Sequence, residues 1–129
     1  MSQIIVPGIK LTTTKTVGKD DTAAVYGSGL LDVFSTPAMI SLMEQTAMKA
    51  VEAYLNEGEG TVGTEVNVRH LKATAVGQTV TCTATLEEVT GKKLLFHVEA
   101  SDVHGKIGEG HHERFIIDND KFMAKIKGQ

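Results

Sequence analysis

Residues 35–55 constrain the fold of this chain more than any other stretch, because they predict its one long helix. Thr36 is a candidate N-cap, and Pro37 suits the first helical position, where a missing N–H costs nothing. Apolar residues then recur at three- and four-residue steps, which is typical of a helix that buries one face. The members of this stripe are Ile40, Met43, Ala47, Ala50, Val51 and Tyr54.

One carboxylate interrupts the apolar face of the predicted helix. Glu44 follows Met43 directly and precedes Ala47 by three residues, so it lies inside or at the edge of the stripe. A carboxylate is seldom fully buried unless it is paired or hydrogen-bonded. Glu44 is therefore either a functional group or, if the helix is rotated slightly, a side chain that faces water.

The rest of the chain predicts mostly β-structure. Residues 9–17 are rich in threonine and β-branched residues and predict a first strand, and residues 22–26 predict a short strand or an extended arm. The polar residues 118–129 predict a short extra turn at most. After a glycine-containing turn at 56–60, period-two alternation predicts four long strands over residues 61–74, 77–90, 93–103 and 106–117.

These elements predict an α+β domain that spans residues 1–129. Four consecutive strands joined by short turns are expected to form an antiparallel meander, with the helix along one face. The opposite face is half polar, which antiparallel sheets permit, and it includes Thr79, Thr81, Thr83 and Thr85. The sheet edges still need cover, so edge-to-edge pairing of two subunits is expected.

Composition excludes several classes of function. The chain has 129 residues, 41% of them hydrophobic and 22% charged, which suits one globular domain. A formal net charge of −3 and a pI near 5.9 argue against a nucleic-acid partner. No apolar run has the length of about 18 residues that a membrane span needs, and residues 1–10 lack a secretory signal pattern. The single Cys82 and the absence of Cys/His ligand spacing predict no disulfide, no metal and a cytoplasmic protein.

Three polar side chains are candidates for chemistry. His70 is in phase with the apolar residues of its predicted strand, so it points toward the same layer as Glu44, with Thr36 at the helix start. The residues predicted to share its face are Val62, Thr64, Val66 and Val68. An acid, an imidazole and a hydroxyl near one helix start can serve acyl transfer, with Glu44 as base or nucleophile and His70 as proton shuttle. Gly63 is a candidate oxyanion position, because a glycine at a strand start lets a substrate approach the backbone.

Each of these residues also has a purely structural interpretation. Thr36 is an ordinary capping residue, and an in-phase histidine on a strand is more often a hydrogen-bonded core or interface residue than a catalyst. The remaining histidines are expected in turns or at the surface: His97, His104, His111 and His112. The last two alternate faces in a strand, so they do not easily present both rings to one metal.

Two segments of the chain resemble a known family. The segments VFSTPAMISLME and TVGTEVNVRHL are similar to the fluoroacetyl-CoA thioesterase-like branch of the hotdog-fold thioesterases, over about residues 10–117. The shared motifs are a Thr-Pro helix start, a glutamate eight residues after that threonine, a V-G-T, and a histidine six residues after Thr64. The resemblance implies a hotdog fold, in which a long helix packs on a curved antiparallel sheet, and hydrolysis of acyl-CoA thioesters.

The resemblance also implies a set of site residues and partners. The catalytic threonine, glutamate and histidine of the family fall on Thr36, Glu44 and His70, its backbone glycine on Gly63 and its last-strand arginine on Arg114. No retained cofactor is expected, because CoA arrives as part of the acyl-CoA substrate. The family implies a homodimer with active sites near the subunit interface, and the chain leaves open whether dimers pair further.

One segment departs from the family pattern. The fluoroacetate-specific member carries phenylalanines in a lid before the helix, whereas residues 22–31 hold Tyr26, Gly27 and Leu30 and no phenylalanine. The resemblance thus implies the chemistry without implying fluoroacetyl-CoA as the substrate. The alternative function is a non-catalytic acyl-CoA or small-ligand binding module on the same scaffold. An enoyl-CoA hydratase is less consistent with the chain, because the Asp/His pair of hotdog hydratases is not found.

Overall fold

A long helix and a five-stranded antiparallel sheet dominate the computed structural model, which describes residues 4–128. Residues 1–3 of the segment predicted to lack a secretory signal, and residue 129 of the polar tail, lie outside the described residues. The strands are β1 (Lys10–Thr16), β2 (Glu59–His70), β3 (Thr79–Thr90), β4 (Lys93–Asp102) and β5 (Gly105–Asp118). The helices are α1 (Ala23–Tyr26), α2 (Thr36–Glu52) and α3 (Asn119–Lys127), with a 3-10 turn at Lys19–Asp21. Within residues 4–128, no helix has the length and apolar character to cross a membrane.

Helix α2 is the predicted long helix, but its cap lies one residue earlier than predicted. The Ala38 N–H donates to the Ser35 hydroxyl at 3.1 Å, so Ser35 is the N-cap and Thr36 the first helical residue. The hydroxyl of Thr36 is therefore available to another partner. The helix also ends at Glu52, before Tyr54. Within the helix the predicted apolar stripe is right at Met43, Ala47, Ala50 and Val51, which are buried. It is wrong at Ile40, which is only partly buried, and it misses the buried Met39 and Leu42.

The strand order is β1-β3-β4-β5-β2, and every neighbouring pair is antiparallel. The predicted four-strand meander is wrong for β2, because only β3, β4 and β5 follow one another in the sheet. Strand β1 pairs with β3 and occupies the edge that a meander would have left for β2. Strand β2 crosses to the far side of β5 instead, and it forms one edge of the sheet.

The buried faces predicted for β3 and β4 are confirmed. Their inward side chains are almost completely buried beneath α2: Val80, Cys82, Ala84, Leu86, Leu94, Phe96, Val98 and Ala100. Burial of each large apolar side chain contributes about 1.5–3 kcal/mol. This layer therefore fixes the position of α2 on the sheet, and with it the position of every polar group that α2 carries.

A bulge in β2 changes which of its residues face the helix. Gly63 pairs with Arg114 whereas Glu65 pairs with the preceding residue of β5, so Thr64 is an extra residue in β2. As a result Gly63 turns toward α2. The predicted facing is right for Val66, Val68 and His70, and wrong for Val62 and Thr64.

Two peripheral segments fold into helices that the sequence does not predict. Residues 22–26, predicted as extended, contain α1, and the Thr22 hydroxyl caps it by accepting from the Val25 N–H at 3.3 Å. Helix α3 occupies most of the C-terminal tail, and it is capped by Asp118, whose carboxylate accepts from the Lys121 N–H at 3.0 Å. Both helices start at a side-chain cap, which is a local signal.

The contact between β2 and β5 can be tested at Gly110. A methyl group at Gly110 would overlap the backbone carbonyl of Asn67, which does not move without opening the strand pair. We expect Gly110→Ala to lower the free energy of unfolding by about 1–3 kcal/mol, as overpacking does, in urea denaturation followed by circular dichroism. Gly18→Ala is the control, because a methyl group there meets only the Asp21 carboxylate, at 3.5 Å. Equal losses in the two variants would contradict this account.

Candidate active site

The start of α2 meets the end of β2, and this brings two of the predicted site residues into contact. Thr36 Oγ1 lies 2.8 Å from His70 Nδ1, within hydrogen-bond distance. The His70 ring also stands edge-on to Phe34, with 6.5 Å between the ring centroids. Because Ser35 caps α2, Thr36 is free to hold the imidazole in a fixed orientation.

The other ring nitrogen of His70 has no hydrogen-bond partner among the described residues. Nε2 is buried, and it is the one buried side-chain nitrogen or oxygen without a hydrogen bond in the part of the chain that the structure describes. Burial lowers the pKa of His70 below its ordinary value of 6.5, and a weaker interaction with the backbone of Lys72 acts in the opposite direction. A largely neutral imidazole with a free nitrogen can accept or deliver a proton.

An open pocket of about 300 Å³ leads to this pair. Its walls come from α1, from the segment that precedes α2 and from the residues that follow β2. The lining includes Ala23, Ser28, Phe34, Leu71 and Lys72, together with Thr36 and His70. A ligand that enters the pocket therefore reaches both side chains.

Glu44 does not join this pair within one chain. It lies eight residues after Thr36, which is about 12 Å along the helix axis. Its carboxylate lies against Gly63 instead, where an added Cβ would be 2.9 Å from Glu44 Oε2. Gly63 and His70 are themselves about 20 Å apart along β2. The prediction that Thr36, Glu44 and His70 gather at one helix start is therefore wrong for a single chain, which forms two separate clusters.

The second cluster, beside Glu44 and Gly63, contains His112, a histidine that the sequence predicts in a turn or at the surface. His112 is 1% exposed and Arg114 is 6% exposed. The Arg114 side chain donates from Nη1 to His112 Nε2 at 3.1 Å, from Nε to the Thr61 hydroxyl at 2.8 Å and from Nη2 to the Thr61 carbonyl at 2.9 Å. The surface prediction for His112 is wrong. Its spacing from Arg114 could have revealed it, because residues two apart in a strand share a face.

The second cluster combines a carboxylate, a guanidinium and an imidazole. Burial lowers the pKa of His112, while its bond to the Glu65 carbonyl and the charge of Glu44 act in the opposite direction. Burial also lowers the pKa of Arg114, and Glu44 opposes this shift. Arginine remains protonated in proteins. The cluster therefore places one carboxylate and one guanidinium around a neutral imidazole, beside the space that Gly63 leaves open.

A third group of titratable residues lies on the opposite face of the sheet. The potential ligand atoms of His97, Glu99 and Glu109 lie within 4.8 Å of one another, a spacing that a metal ion can bridge. Lys106 Nζ already contacts both carboxylates, at 2.9 and 3.1 Å. The four side chains are partly exposed, and they form an ion-pair network of the kind found on protein surfaces.

Known proteins match this chain along most of its length. The family model of FlK, the fluoroacetyl-CoA-specific thioesterase, matches residues 17–120. The fluoroacetyl-CoA thioesterase of Streptantibioticus cattleyicolor is 45% identical over 96 residues, which is 74% of this chain and 69% of that protein. A solved structure of the fluoroacetyl-CoA thioesterase FlK superposes with a TM-score of 0.92 at 36% identity, covering 98% of both chains. A hot-dog-like protein from Thermanaerovibrio acidaminovorans superposes with a TM-score of 0.87 at 28% identity, covering 95% of this chain and 90% of its own.

The sheet, the long helix and these matches define a hotdog-fold thioesterase, an enzyme that hydrolyses thioesters. The chain belongs to the fluoroacetyl-CoA-specific thioesterase family. The α+β hotdog prediction and the resemblance of the two sequence segments are thereby confirmed.

The buried histidines predict how stability depends on pH. His70 and His112 have pKa values below the ordinary 6.5, so below that pH the unfolded chain binds more protons than the folded chain. Their contribution to stability is fully present above pH 6.5 and is lost as the pH falls through the folded pKa values. We expect the unfolding temperature to decrease from about pH 7.5 to about pH 5, measured by scanning calorimetry.

Two glutamine variants serve as controls for this pH dependence. His112→Gln removes one buried titrating group and should flatten the decrease. His104→Gln changes an exposed histidine and should leave the decrease as it is in the wild type. An unchanged slope in His112→Gln would show that His112 is not held neutral in the folded protein.

Proposed function

We propose that the chain is an acyl-CoA thioesterase that hydrolyses its substrate to a carboxylic acid and free CoA. The observation that carries this proposal is the buried Nε2 of His70, which has no hydrogen-bond partner among residues 4–128. Thr36 orients the ring through Nδ1, and both residues line an open pocket. A buried polar atom without a partner is costly, so its position is consistent with a substrate group or a partner subunit that completes it. Family membership supports thioester hydrolysis as the reaction.

The free edge of β2 supports a homodimer. Strand β2 is 12 residues long, and among residues 4–128 it pairs on one side only, with β5. A long unpaired edge with apolar side chains favours association with another strand. Val66 is 38% exposed on this edge, and Leu71, just after it, is 54% exposed. Pairing of two β2 strands would cover these side chains and satisfy the free backbone groups.

The side chains of β2 also suggest the register of that pairing. Two copies that pair antiparallel about a two-fold axis at Asn67 place Val66 opposite Val68 of the partner subunit. The same register places Glu65 opposite Arg69 of the partner subunit, so an apolar pair and an opposite-charge pair form across the interface. Like-charged residues do not meet at either position. Both kinds of pair stabilise antiparallel strands.

The bulge at Thr64 determines which site residues of the two subunits meet in this register. Gly63 and His70 both face the helix layer, and Thr64 is the extra residue between Gly63 and Glu65. In the proposed register the bulge takes up that residue, so Gly63 would lie opposite His70 of the partner subunit. Glu44, which lies against Gly63, then approaches the Thr36–His70 pair of the partner subunit. Each proposed active site thus combines Glu44, Gly63 and Arg114 of one subunit with Thr36 and His70 of the other.

The proposed site has a group for each step of hydrolysis. Glu44 either takes a proton from a water molecule that attacks the thioester carbonyl, or attacks the carbonyl itself to form an anhydride that a water molecule then hydrolyses. In both routes a C–O bond forms, the C–S bond breaks, and the proton that balances the thiolate comes from the water. His70 Nε2 delivers a proton to the departing thiolate, while Thr36 holds the ring through Nδ1. Arg114 and the backbone at Gly63 provide positive charge and N–H groups for the negative oxygen.

The proposed substrate brings CoA with it, and the chain needs no retained cofactor for these steps. Two of the relatives are named fluoroacetyl-CoA thioesterases, whereas residues 22–31 of this chain contain no phenylalanine and include the exposed Leu30. The substrate proposed is therefore an acyl-CoA, with fluoroacetyl-CoA as one member of the class to be tested. The proposed location is the cytoplasm, which is consistent with a single buried cysteine, Cys82, that has no second cysteine in the chain to pair with.

The role of Glu44 can be tested by thiol release from a panel of acetyl-, fluoroacetyl- and medium-chain acyl-CoA substrates. We expect Glu44→Gln to lower kcat by about 10²- to 10⁴-fold, because the amide is neither a base nor a nucleophile. Glu52→Gln, at an exposed glutamate of the same helix, is the matched control and should keep wild-type turnover. Binding of acyl-CoA without thiol release by the wild type would favour a binding module and contradict the proposal.

The shared site makes a separate prediction about mixed dimers. Glu44→Gln and His70→Asn should each be inactive alone. Co-refolded in equal amounts, they form mixed dimers in which one site carries both changes and the other carries neither. The mixture should then recover about one quarter of wild-type turnover if dimers form at random. A mixture that stays inactive, although mass spectrometry detects mixed dimers, would place the complete site within one chain.

A further inference from the structure

The hydrogen bonds of His112 define its protonation state. Nδ1 lies 2.8 Å from the Glu65 carbonyl, which only accepts, so Nδ1 carries the hydrogen. Nε2 lies 3.1 Å from Arg114 Nη1, which only donates, so Nε2 carries a lone pair. One state of the ring satisfies both neighbours, namely the neutral imidazole protonated at Nδ1. A proton on Nε2 would face an N–H of Arg114 and break their bond.

Every described hydrogen-bond acceptor of Arg114 is electrically neutral. They are the hydroxyl and carbonyl of Thr61 and the imidazole of His112. Three bonds fix the plane of the guanidinium, yet none of them neutralises its positive charge. A carboxylate at the position of His112 would hold the group equally well but would cancel the charge. His112 therefore holds Arg114 in place and leaves its charge available.

The guanidinium borders the space that the missing side chain of Gly63 leaves open. An added Cβ at Gly63 would be 2.9 Å from Glu44 Oε2, 3.2 Å from His112 Cε1 and 3.4 Å from Arg114 Nη1. Glu65, whose carbonyl orients His112, flanks the bulge that turns Gly63 inward. One irregularity in β2 thus supplies both the open space and the acceptor that orients the imidazole.

We propose that His112 is a positioning residue of the thioesterase site, whose unprotonated Nε2 holds the Arg114 guanidinium at the space beside Gly63. The inference rests on the proposed function, in which that guanidinium stabilises the negative oxygen formed at the thioester carbonyl. The charged groups around the imidazole are Arg114 and Glu113 of β5 and Glu44 of α2. Protonation of His112 adds a second positive charge beside Arg114 and displaces it, so activity requires the neutral ring.

Two amide variants separate the two hydrogen bonds of His112. In His112→Gln, the amide oxygen reaches the position of Nε2 and can still accept from Arg114. In His112→Asn, the shorter side chain reaches only the position of Nδ1, so it can donate to the Glu65 carbonyl but leaves Arg114 without its acceptor. We expect His112→Asn to lower kcat up to about 100-fold with little change in KM, as misplacement of a catalytic group does. His112→Gln should keep most of the turnover.

A cycle with Arg114→Met tests whether His112 acts through Arg114. If it does, His112→Asn should cost little further activity in the Arg114→Met background. The pH profile adds a second measurement, because His112→Gln should retain activity at a lower pH than the wild type. The ¹⁵N shifts of the His112 ring should report the neutral Nδ1–H form at neutral pH, independently of turnover.

The outcomes distinguish this inference from the proposed function. Equal turnover of His112→Asn and His112→Gln, whether both are normal or both are lost with the fold, overturns the positioning role. So does a protonated His112 ring at neutral pH. If the wild type releases thiol and Glu44→Gln does not, the proposed function stands even when the His112 result is negative. A wild type that releases no thiol from any substrate contradicts both.

Discussion

The packing of α2 against the inner faces of β3 and β4 is the interaction on which the rest of the structure depends. Large apolar side chains from the helix and from both strands bury one another almost completely. Close-packed interiors of this kind are rigid. Thr46 joins the helix to β1 as well, because its hydroxyl lies 2.8 Å from the Thr13 hydroxyl and also donates to the Leu42 carbonyl at 2.7 Å. The helix therefore has one position on the sheet.

That fixed position determines where the polar groups of α2 meet the sheet. Thr36 at the start of the helix reaches His70 at the end of β2, while Glu44 reaches Gly63 near the start of β2. The polar cluster around Arg114 is tolerated beside an apolar core because its buried donors and acceptors are paired with one another. His70 Nε2 is the exception among the described residues, and its isolation is the strongest local indication of a site that is completed from outside.

The two clusters of one chain become a single site only in the proposed dimer. An α-helix advances about 1.5 Å per residue and a strand about 3.3 Å. Thr36 and Glu44 are therefore about 12 Å apart along α2. The β2 residues that they contact, His70 and Gly63, are about 20 Å apart. One chain cannot therefore bring both ends of the set together. An antiparallel partner reverses the direction of β2 and places the second half of the set beside the first. The edge strand, which is otherwise a liability, then becomes the element that assembles the site.

The sequence by itself determined the long helix α2, the long strands and the buried faces of β3 and β4. Helical periodicity located α2, and strict alternation located the inward residues of β3 and β4, because both patterns depend only on the local geometry of the backbone. The sequence also identified the family, because Thr36, Glu44 and His70 occur at the family's spacing in two segments.

Only the tertiary structure decided the crossing of β2 to the far side of β5, the bulge at Thr64 and the burial of His112 beside Arg114. Strand order depends on which edge is already occupied, here by β1. A bulge shifts every later side chain to the opposite face without changing the composition of the strand. The physical reason is the same in each case, since these features arise from pairing between distant segments and a local pattern does not record its partner.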